Sequence, residues 1–171
     1  ENRTYSGYYL FDSLWVKIKG KWNYLLALFD VKLNTLVSVK LVESEDSKTI
    51  YQFLHESLRN QEKISIGTDL KHEYREAIDK LKVKQQFCKF HVKQNINKRF
   101  RDHFDKNQLE KEEFNELIDL KKHIFKILDA KNLNDAKNLR NQLLDKKYSK
   151  NNFTIKIVDK FIIPYFQKLT T

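Results

Sequence analysis

Two aspartates have the residue type and the setting for metal-dependent chemistry. Asp12 lies within the apolar segment 8–18, and Asp69 ends the short apolar segment 64–69, 57 positions further on. An ionised carboxylate in an apolar strand costs free energy unless it is paired, hydrogen-bonded or bound to a metal. Carboxylate oxygens suit Mg²⁺ or Mn²⁺. Two such ions about 3.5–4 Å apart activate a water or a 3′-hydroxyl and stabilise the leaving oxygen in phosphodiester chemistry.

Asp69 also has a structural interpretation. Thr68 and Asp69 directly precede a helical pattern that begins at Leu70, and an aspartate in that position commonly caps a helix N-terminus. Asp12 has no comparable structural role. As a pair on neighbouring strands, the two residues favour the metal site.

Three strands are predicted at the start of the chain, over 8–18, 22–29 and 36–42, because these segments are rich in aromatic and β-branched residues. The turns between them, 19–21 and 30–34, are short, so the strands form an antiparallel meander. The first strand is apolar on both faces. That pattern predicts a central strand in a sheet that is covered on both sides.

Alternating strands and helices follow. Helices are predicted over 48–58 and 70–81 and from about His91, with strands over 64–69 and 83–87. Strand–helix–strand units require parallel pairing with right-handed crossovers. The chain is therefore predicted to be α/β with a ribonuclease H-like core, a mixed sheet of three antiparallel strands plus two parallel ones. In that plan the first and fourth strands are neighbours, so Asp12 and Asp69 converge at one sheet end.

The last third of the chain is predicted to be helical. Helices over 108–128 and 133–144 precede a polar linker at 146–152 and a further helix over 151–165 that closes near Pro164. We divide the chain into a ribonuclease H-like core, residues 1–103, and an all-helical insertion or C-terminal region, residues 104–171.

Charge and composition narrow the classes of function. The net charge of +10 arises from 33 Lys and Arg against 23 Asp and Glu, and it favours either a polyanionic partner such as nucleic acid or a lysine-rich solvated surface. A single cysteine excludes an internal disulfide. No apolar run reaches the ~20 residues of a membrane span, and no signal peptide is present. The chain starts at Glu1 rather than Met, which indicates a fragment of a longer protein.

Cys88 and His91 form a Cys-x-x-His pair. Structural zinc requires four ligands, and neither a second cysteine nor a suitably spaced histidine is available, so zinc is not predicted. Two interpretations remain open: a buried thiol at a strand end beside a helix-start histidine, or a pair near the active-site end of the sheet that contacts DNA. The surrounding basic residues either flank a DNA groove, through salt-sensitive phosphate contacts, or form plain surface; they are Lys89, Lys93, Lys98 and Arg99.

Four segments together resemble a known family. YLFDS at 9–13 and YLLALFD at 24–30 are similar to the opening strands of DDE transposase catalytic domains, IGTD at 66–69 is similar to their second-acid segment, and FCKFH at 87–91 resembles the signature of Mutator-like and prokaryotic insertion-sequence transposases. The resemblance covers about residues 8–97. It implies DNA transposition, with Asp12 and Asp69 as the first two ligands of a Mg²⁺ or Mn²⁺ site, and a cytoplasmic, nucleoid-associated prokaryotic protein that forms homo-oligomers when full length.

The family also needs a third acid, a glutamate on a later helix. We expect it beyond Thr171, which puts the activity of the fragment alone in doubt; the alternative is a short-spacing triad completed by one of four glutamates on a solvated helix, Glu110, Glu112, Glu113 and Glu116. Two other functions stay open on the same fold. One is a nuclease or resolvase, which usually needs further acids. The other is a non-catalytic nucleic-acid-binding protein, which would tolerate loss of Asp12.

Overall fold

The chain is organised as two compact units, the first ending at Cys88 and the second beginning at Lys89. The structure, a computed structural model, describes residues 3–107, 110–144 and 152–169. The elements of the first unit are β1 Tyr8–Ile18, β2 Lys21–Asp30, β3 Thr35–Val42, α1 Ser47–Ser57, β4 Ser65–Thr68, α2 His72–Leu81 and β5 Lys84–Phe87.

The five strands form one mixed sheet in the order β3-β2-β1-β4-β5. The β1–β2 and β2–β3 pairs are antiparallel, whereas β4 is parallel to β1 and β5 is parallel to β4. This arrangement confirms the predicted α/β class and the ribonuclease H-like topology. β1 is central and carries Asp12, and β4 beside it leads directly into Asp69.

Helices α1 and α2 pack on one face of the sheet because their apolar residues recur at helical spacing. Asp46 caps α1, its side chain accepting from the Thr49 backbone N–H at 2.8 Å. On the sheet, Phe11 lies 4.9 Å from Tyr74 and 6.0 Å from Phe53 between ring centroids. The buried residues of this core are Tyr9, Phe11, Leu26, Leu28, Ile50, Phe53, Leu54, Leu58, Ile66, Tyr74, Ala77, Ile78 and Val83.

The prediction that β1 is covered on both faces is wrong. Leu10 and Leu14, on the face opposite Phe11, are 44% and 63% exposed, and Asp12 between them is exposed as well. Tyr9 and Phe11 are buried on the face that the two helices cover, whereas the leucines of the other face remain accessible to solvent. An apolar pattern on both faces therefore did not imply a cover on both faces.

Asp30 is a fully buried carboxylate at the end of β2. It accepts hydrogen bonds from the Ser6 backbone N–H at 2.6 Å, the Ser6 hydroxyl at 2.7 Å and the Leu33 backbone N–H at 2.9 Å. Burial opposes ionisation, but the donors at Leu33 and Ser6 outweigh it and hold the pKa of Asp30 below its usual value. Asp30 thus ties the β2–β3 turn to the segment that enters β1.

We expect Asp30→Asn to lower the free energy of unfolding by about 2–4 kcal/mol at pH 7, because an amide oxygen replaces a charged acceptor of three hydrogen bonds. The folded pKa is depressed, so the contribution of Asp30 is complete above the ordinary aspartate pKa of about 4 and is lost as the pH falls through the folded value. Urea unfolding at pH 7 and at pH 3 measures both effects.

Ser38→Ala, which removes a hydroxyl from β3, is the control for that experiment. The difference in the free energy of unfolding between wild type and Asp30→Asn should be smaller at pH 3 than at pH 7. The corresponding difference for Ser38→Ala should be the same at both pH values. Equal stability of wild type and Asp30→Asn at pH 7 would contradict the assignment of Asp30 as a structural anion.

The second unit is helical. Its apolar side chains form a separate buried cluster that includes Ile96, Phe100, Leu120, Ile124 and Phe166. The prediction of helix 133–144 is confirmed, and α4 begins at Lys111 with Glu110 as its N-cap. Its elements are α3 Lys89–Asn107, α4 Lys111–Leu128, α5 Leu133–Leu144, α6 Asn152–Ile157, a π-helical turn Val158–Ile162, a 3₁₀ turn Ile163–Tyr165 and α7 Phe166–Leu169.

The end predicted for the last helix is wrong, because helical turns continue past Pro164 to Leu169. Pro164 lies in the first turn of the 3₁₀ segment, where its missing N–H removes no helical hydrogen bond. The start of the predicted helix at 108 and most of the predicted linker at 146–152 lie outside the described residues. Within the described ranges, no helix has the length and apolarity required to cross a bilayer.

Candidate active site

The strand segments that precede Asp12 and Asp69 are paired in parallel. In the parallel β1–β4 pair, Tyr8 is opposite Ser65 and Leu10 is opposite Gly67, an offset equal to the separation of the two aspartates in sequence. The pairing ends at Leu10 and Gly67, two residues before each aspartate. Asp12 lies further along β1, whereas Asp69 follows the end of β4 at Thr68.

Asp12 is a solvated carboxylate. Its Oδ1 accepts from the Ser13 backbone N–H at 2.8 Å, and its side chain is exposed. The expectation that the acid is buried in an apolar strand and needs a compensating partner is thus wrong. The reason is the open sheet face on which Asp12 lies. An exposed carboxylate is instead accessible to a cation and to a polymeric substrate.

Asp69 does not cap α2. The helix begins at His72 with Lys71 in the N-cap position, so the cap interpretation is wrong by two residues. Instead the Asp69 Oδ1 accepts from the Lys71 backbone N–H at 2.9 Å, which is a local turn. The preceding residue is held firmly, because Gln85 donates through Nε2 to the Thr68 hydroxyl at 2.9 Å, and both of these side chains are buried.

A polar cluster connects the segments that carry the two aspartates. Lys71 Nζ lies 2.8 Å from Glu45 Oε1 and 3.1 Å from the Tyr74 hydroxyl. Ser13 Oγ lies 2.8 Å from the Tyr74 hydroxyl, and Glu45 also accepts hydrogen bonds from Ser13 and Tyr74. Since Ser13 follows Asp12 and the Lys71 N–H binds Asp69, this cluster fixes the two segments relative to each other.

The charges within the cluster are well defined at neutral pH. Burial opposes ionisation of Glu45, but hydrogen bonds from Lys71, Ser13 and Tyr74 outweigh it and lower its pKa. Burial, reinforced by the Glu45 anion, raises the pKa of Tyr74 well above its usual value. Glu45 is therefore an anion and Tyr74 a neutral hydrogen-bond donor, and the Lys71 ammonium completes the pairing.

The donor set suits Mg²⁺ or Mn²⁺. Both ions prefer oxygen ligands, and Mg²⁺ is usually held by only one or two carboxylates, with waters and substrate phosphates completing its shell. Asp12 in β1 and Asp69 after β4 are carboxylates of this kind. Across residues 3–107, 110–144 and 152–169, no group of three or more His, Cys, Asp or Glu side chains has the placement to hold an ion.

Cys88 and His91 fall in different units. Cys88 follows β5, and its backbone N–H donates to the Thr68 carbonyl at 2.8 Å, so it anchors the end of the strand beside the candidate site. His91 lies in the first turn of α3, with its ring 5.6 Å from that of Phe90. Its buried Nδ1 makes no hydrogen bond among the described residues.

The basic residues predicted to contact DNA lie on α3. Lys93 pairs with Asp129 at 2.8 Å and its ammonium lies 5.5 Å from the centre of the Phe125 ring, so it connects α3 to α4. Arg99 donates through Nε to Asn95 at 2.8 Å. Lys98 and Arg99 are exposed and Lys89 is half-buried. The glutamates considered as a third acid include Glu110 and Glu113, which form a capping box at the start of α4.

Sequence reasoning did not find Glu45 and Lys71 as functional candidates. Glu45 was part of a polar break before a helix, and Lys71 was one of many surface lysines. Neither residue has a spacing signal, because they lie on separate connections and meet only when α1 and α2 pack on the same sheet face. Tyr74 is a buried core residue, and its hydroxyl partners were not predicted.

One relative is the Insertion element ISM1 uncharacterized 48.3 kDa protein of Methanobrevibacter smithii. It is 37% identical to this chain over 109 residues, which amount to 64% of this chain and 27% of the relative. The chain thus spans about a quarter of the length of that protein.

Two solved structures resemble the chain more remotely. The HTLV-2 integrase catalytic core domain in complex with magnesium matches 63% of this chain and 78% of its own, with 21% identity and a TM-score of 0.40. A chain of the simian T-cell lymphotropic virus intasome in complex with a PP2A regulatory subunit matches 65% of this chain and 46% of its own, with 15% identity and a TM-score of 0.41.

A family match covers most of the chain, including the strands and connections that carry Asp12, Glu45 and Asp69. The DDE domain family of the IS240 transposase type matches residues 8–141. On this match, the chain belongs to the DDE domain family of transposases.

Proposed function

We propose that the protein to which this chain belongs is a transposase that cleaves DNA strands and joins them to a target. Asp12 and Asp69 are the proposed catalytic carboxylates. The observation that carries the proposal is the β1–β4 register, whose offset, as between Tyr8 and Ser65, equals the separation of Asp12 and Asp69 in sequence. The match of residues 8–141 to the DDE domain family supports the same assignment.

The proposed mechanism assigns distinct tasks to the residues of this chain. Asp12 and Asp69 hold Mg²⁺ or Mn²⁺, which when bound supplies the charge that activates a water or 3′-hydroxyl and stabilises the leaving oxygen. The Lys71 N–H orients the Asp69 carboxylate at 2.9 Å. Glu45 holds Lys71 and Ser13, and so keeps the two aspartate segments in register.

Further features of the proposal concern the DNA and the assembly. Lys89, Lys98 and Arg99 are proposed to contact phosphates without reading sequence, with Lys93 also serving the contact to Asp129. Cys88 and His91 are proposed to lie near the DNA, as in the Mutator-like type. The whole protein is proposed to act as a homo-oligomer on transposon ends and target DNA in the prokaryotic nucleoid.

The third acid is proposed to be a glutamate in a longer form of the protein, past residue 171. The capping-box role of Glu110 and Glu113 supports this placement, because it gives both residues a local task at the start of α4. Residues 1–171 alone are then expected to bind a divalent ion weakly and to turn over little DNA. Strong metal-dependent nicking by residues 1–171 would contradict the proposal for the third acid.

A strand-cleavage assay tests the proposed function. The longer protein should nick DNA carrying its element ends when Mn²⁺ is added, and should join the released 3′-hydroxyl to a second DNA molecule. Chelation by EDTA should abolish both products. Cleavage that persists in EDTA, or DNA binding without any metal-dependent product, would favour the non-catalytic alternative and contradict the proposal.

A further inference from the structure

The sheet face that holds the core continues beyond the helices as an exposed aromatic surface. At the β1–β2 hairpin end, Trp15 is opposite Tyr24 and Lys17 is opposite Trp22. Trp15 is 57% exposed and Trp22 is 55% exposed. These positions lie on the same strand face as buried Phe11, but past the part of the sheet that the core occupies. We call Trp15, Trp22 and Tyr24 the hairpin aromatic surface.

The three rings form an edge-to-face ladder. Trp15 lies 6.1 Å from Trp22 and 5.6 Å from Tyr24 between ring centroids, with interplanar angles of 65° and 77°. Such contacts hold each ring in a defined orientation. Large exposed aromatic rings are uncommon on a surface unless they meet a partner, and a ring face accepts any planar group of matching size.

Lysines surround these rings. Lys17 Nζ lies 5.6 Å from the centre of the Trp22 ring, and Lys71 Nζ lies 5.9 Å from that of Trp15. Lys19 and Lys21 are exposed at the two-residue turn. The backbone of Lys19 and Gly20 has positive φ values of 47° and 83°, as tight hairpin turns require. The neighbouring acid Glu45 is paired with Lys71, so positive charge predominates around the rings.

We propose that the hairpin aromatic surface binds unpaired nucleotides of DNA. Bases stack on Trp15 and Trp22, while Lys17, Lys19 and Lys21 neutralise the adjoining phosphates. A basic groove combined with aromatic platforms is how proteins hold single strands without reading their sequence. That the nucleic acid is DNA rests on the proposed function. That bases stack on this surface follows from the exposed rings and the surrounding lysines.

The surface is adjacent to the candidate active site. Trp15 is three residues from Asp12 on β1, about 10 Å along the strand. Lys71 also joins the two features, since its ammonium lies by Trp15 and its backbone N–H binds Asp69. Because side chains alternate along a strand, Trp15 lies on the face of β1 opposite to Asp12. Lys71 is therefore the residue that links the aromatic surface to the segment of Asp69.

The chain provides its own probe, because its two tryptophans, Trp15 and Trp22, both lie in this surface. We expect sixteen-nucleotide oligo-dT to quench their fluorescence saturably in the absence of divalent metal. Anisotropy of a labelled oligo-dT gives the affinity independently of the tryptophans. A blunt duplex of the same length should bind at least fivefold more weakly and quench little, since its bases are not available for stacking.

Substitutions separate stacking from charge. Trp22→Ala should weaken oligo-dT binding about tenfold, and Trp22→Phe should restore most of the affinity. Lys17→Gln should reduce the dependence of log K on log salt by about 0.7, the value for one single-strand phosphate contact. Phe114→Ala removes an exposed aromatic ring of α4 and is the matched control, with affinity expected within twofold of wild type.

The outcomes also separate this inference from the proposed function. Asp12→Asn should abolish cleavage but leave oligo-dT binding intact. A protein that does not cleave DNA can therefore still confirm the stacking surface, and a protein that does not bind oligo-dT leaves the proposed cleavage activity untouched. Equal affinity for duplex and oligo-dT, or no change in Trp22→Ala, would overturn the inference. If Trp22→Ala instead abolishes self-association measured by sedimentation and leaves DNA affinity unchanged, the surface is an interface between copies and the inference is wrong.

Discussion

Asp12→Asn is expected to reduce metal-dependent DNA cleavage by the longer protein by about 10³-fold or more, equivalent to at least ~4 kcal/mol of transition-state stabilisation. The substitution keeps the size and the hydrogen-bonding oxygen of the side chain but removes the charge that holds the ion. Because Asp12 is exposed on an open sheet face, the fold should not change. The initial rate of strand nicking in Mn²⁺ measures the effect.

The same substitution has an effect on stability that requires no catalysis. Ions bound by residues 1–171 at 100 times their dissociation constant should stabilise the folded state by about 2.7 kcal/mol, and Asp12→Asn or Asp69→Asn should remove most of that gain. Without metal, Asp12→Asn should be at least as stable as wild type, since two carboxylates at the same register level repel each other.

Asp79→Asn is the matched control for both measurements, because it removes an exposed carboxylate of α2 in the same unit. This variant should retain the rate of cleavage and the stabilisation by Mn²⁺. If Mn²⁺ stabilises Asp12→Asn as much as wild type, the ion is bound elsewhere and the assignment of Asp12 and Asp69 is wrong.

Tyr74→Ala is expected to lower the free energy of unfolding of the first unit by about 3–5 kcal/mol. Tyr74 is fully buried, packs edge-on against Phe11 at 4.9 Å and joins Glu45 and Lys71 through its hydroxyl. The substitution thus removes a large core side chain and leaves the Glu45 carboxylate short of a donor. Tyr74→Phe retains the ring, so it should cost only about 1–3 kcal/mol.

Urea unfolding followed by tryptophan fluorescence measures both variants, because Trp15 and Trp22 lie in the β1–β2 hairpin of the first unit. Tyr51→Phe removes a hydroxyl from α1 and is the matched control. A cost for Tyr74→Phe no larger than that for Tyr51→Phe would show that the polar cluster does not stabilise the first unit.

The polar cluster of Glu45, Lys71, Ser13 and Tyr74 should also affect metal binding. If the cluster keeps the two aspartate segments in register, then Tyr74→Phe should weaken Mn²⁺ binding as well as stability, even though Tyr74 is not a ligand. A variant that loses stability but binds the ion as well as wild type would limit the cluster to a structural role.

Much of the sheet followed from local patterns. Segments rich in aromatic and β-branched residues predicted β1, β2 and β3, and short turns between them required antiparallel pairing, as observed. Intervening helices required β4 and β5 to be parallel. Once β1 and β4 were predicted to be parallel neighbours, Asp12 and Asp69 were predicted to converge at one end of the sheet.

The surroundings of that site depended on contacts between distant residues. Hydrophobic periodicity reports which side chains are apolar and not which element covers them, so the open face that exposes Leu10 and Asp12 was not predictable. Asp69 forms a turn rather than a helix cap for a similar reason. The turn depends on the contact of Gln85 with Thr68 and on the start of α2 at His72, neither of which the local sequence reveals. Glu45, Lys71 and Tyr74 meet because α1 and α2 pack on one face, and no spacing in the sequence encodes that meeting.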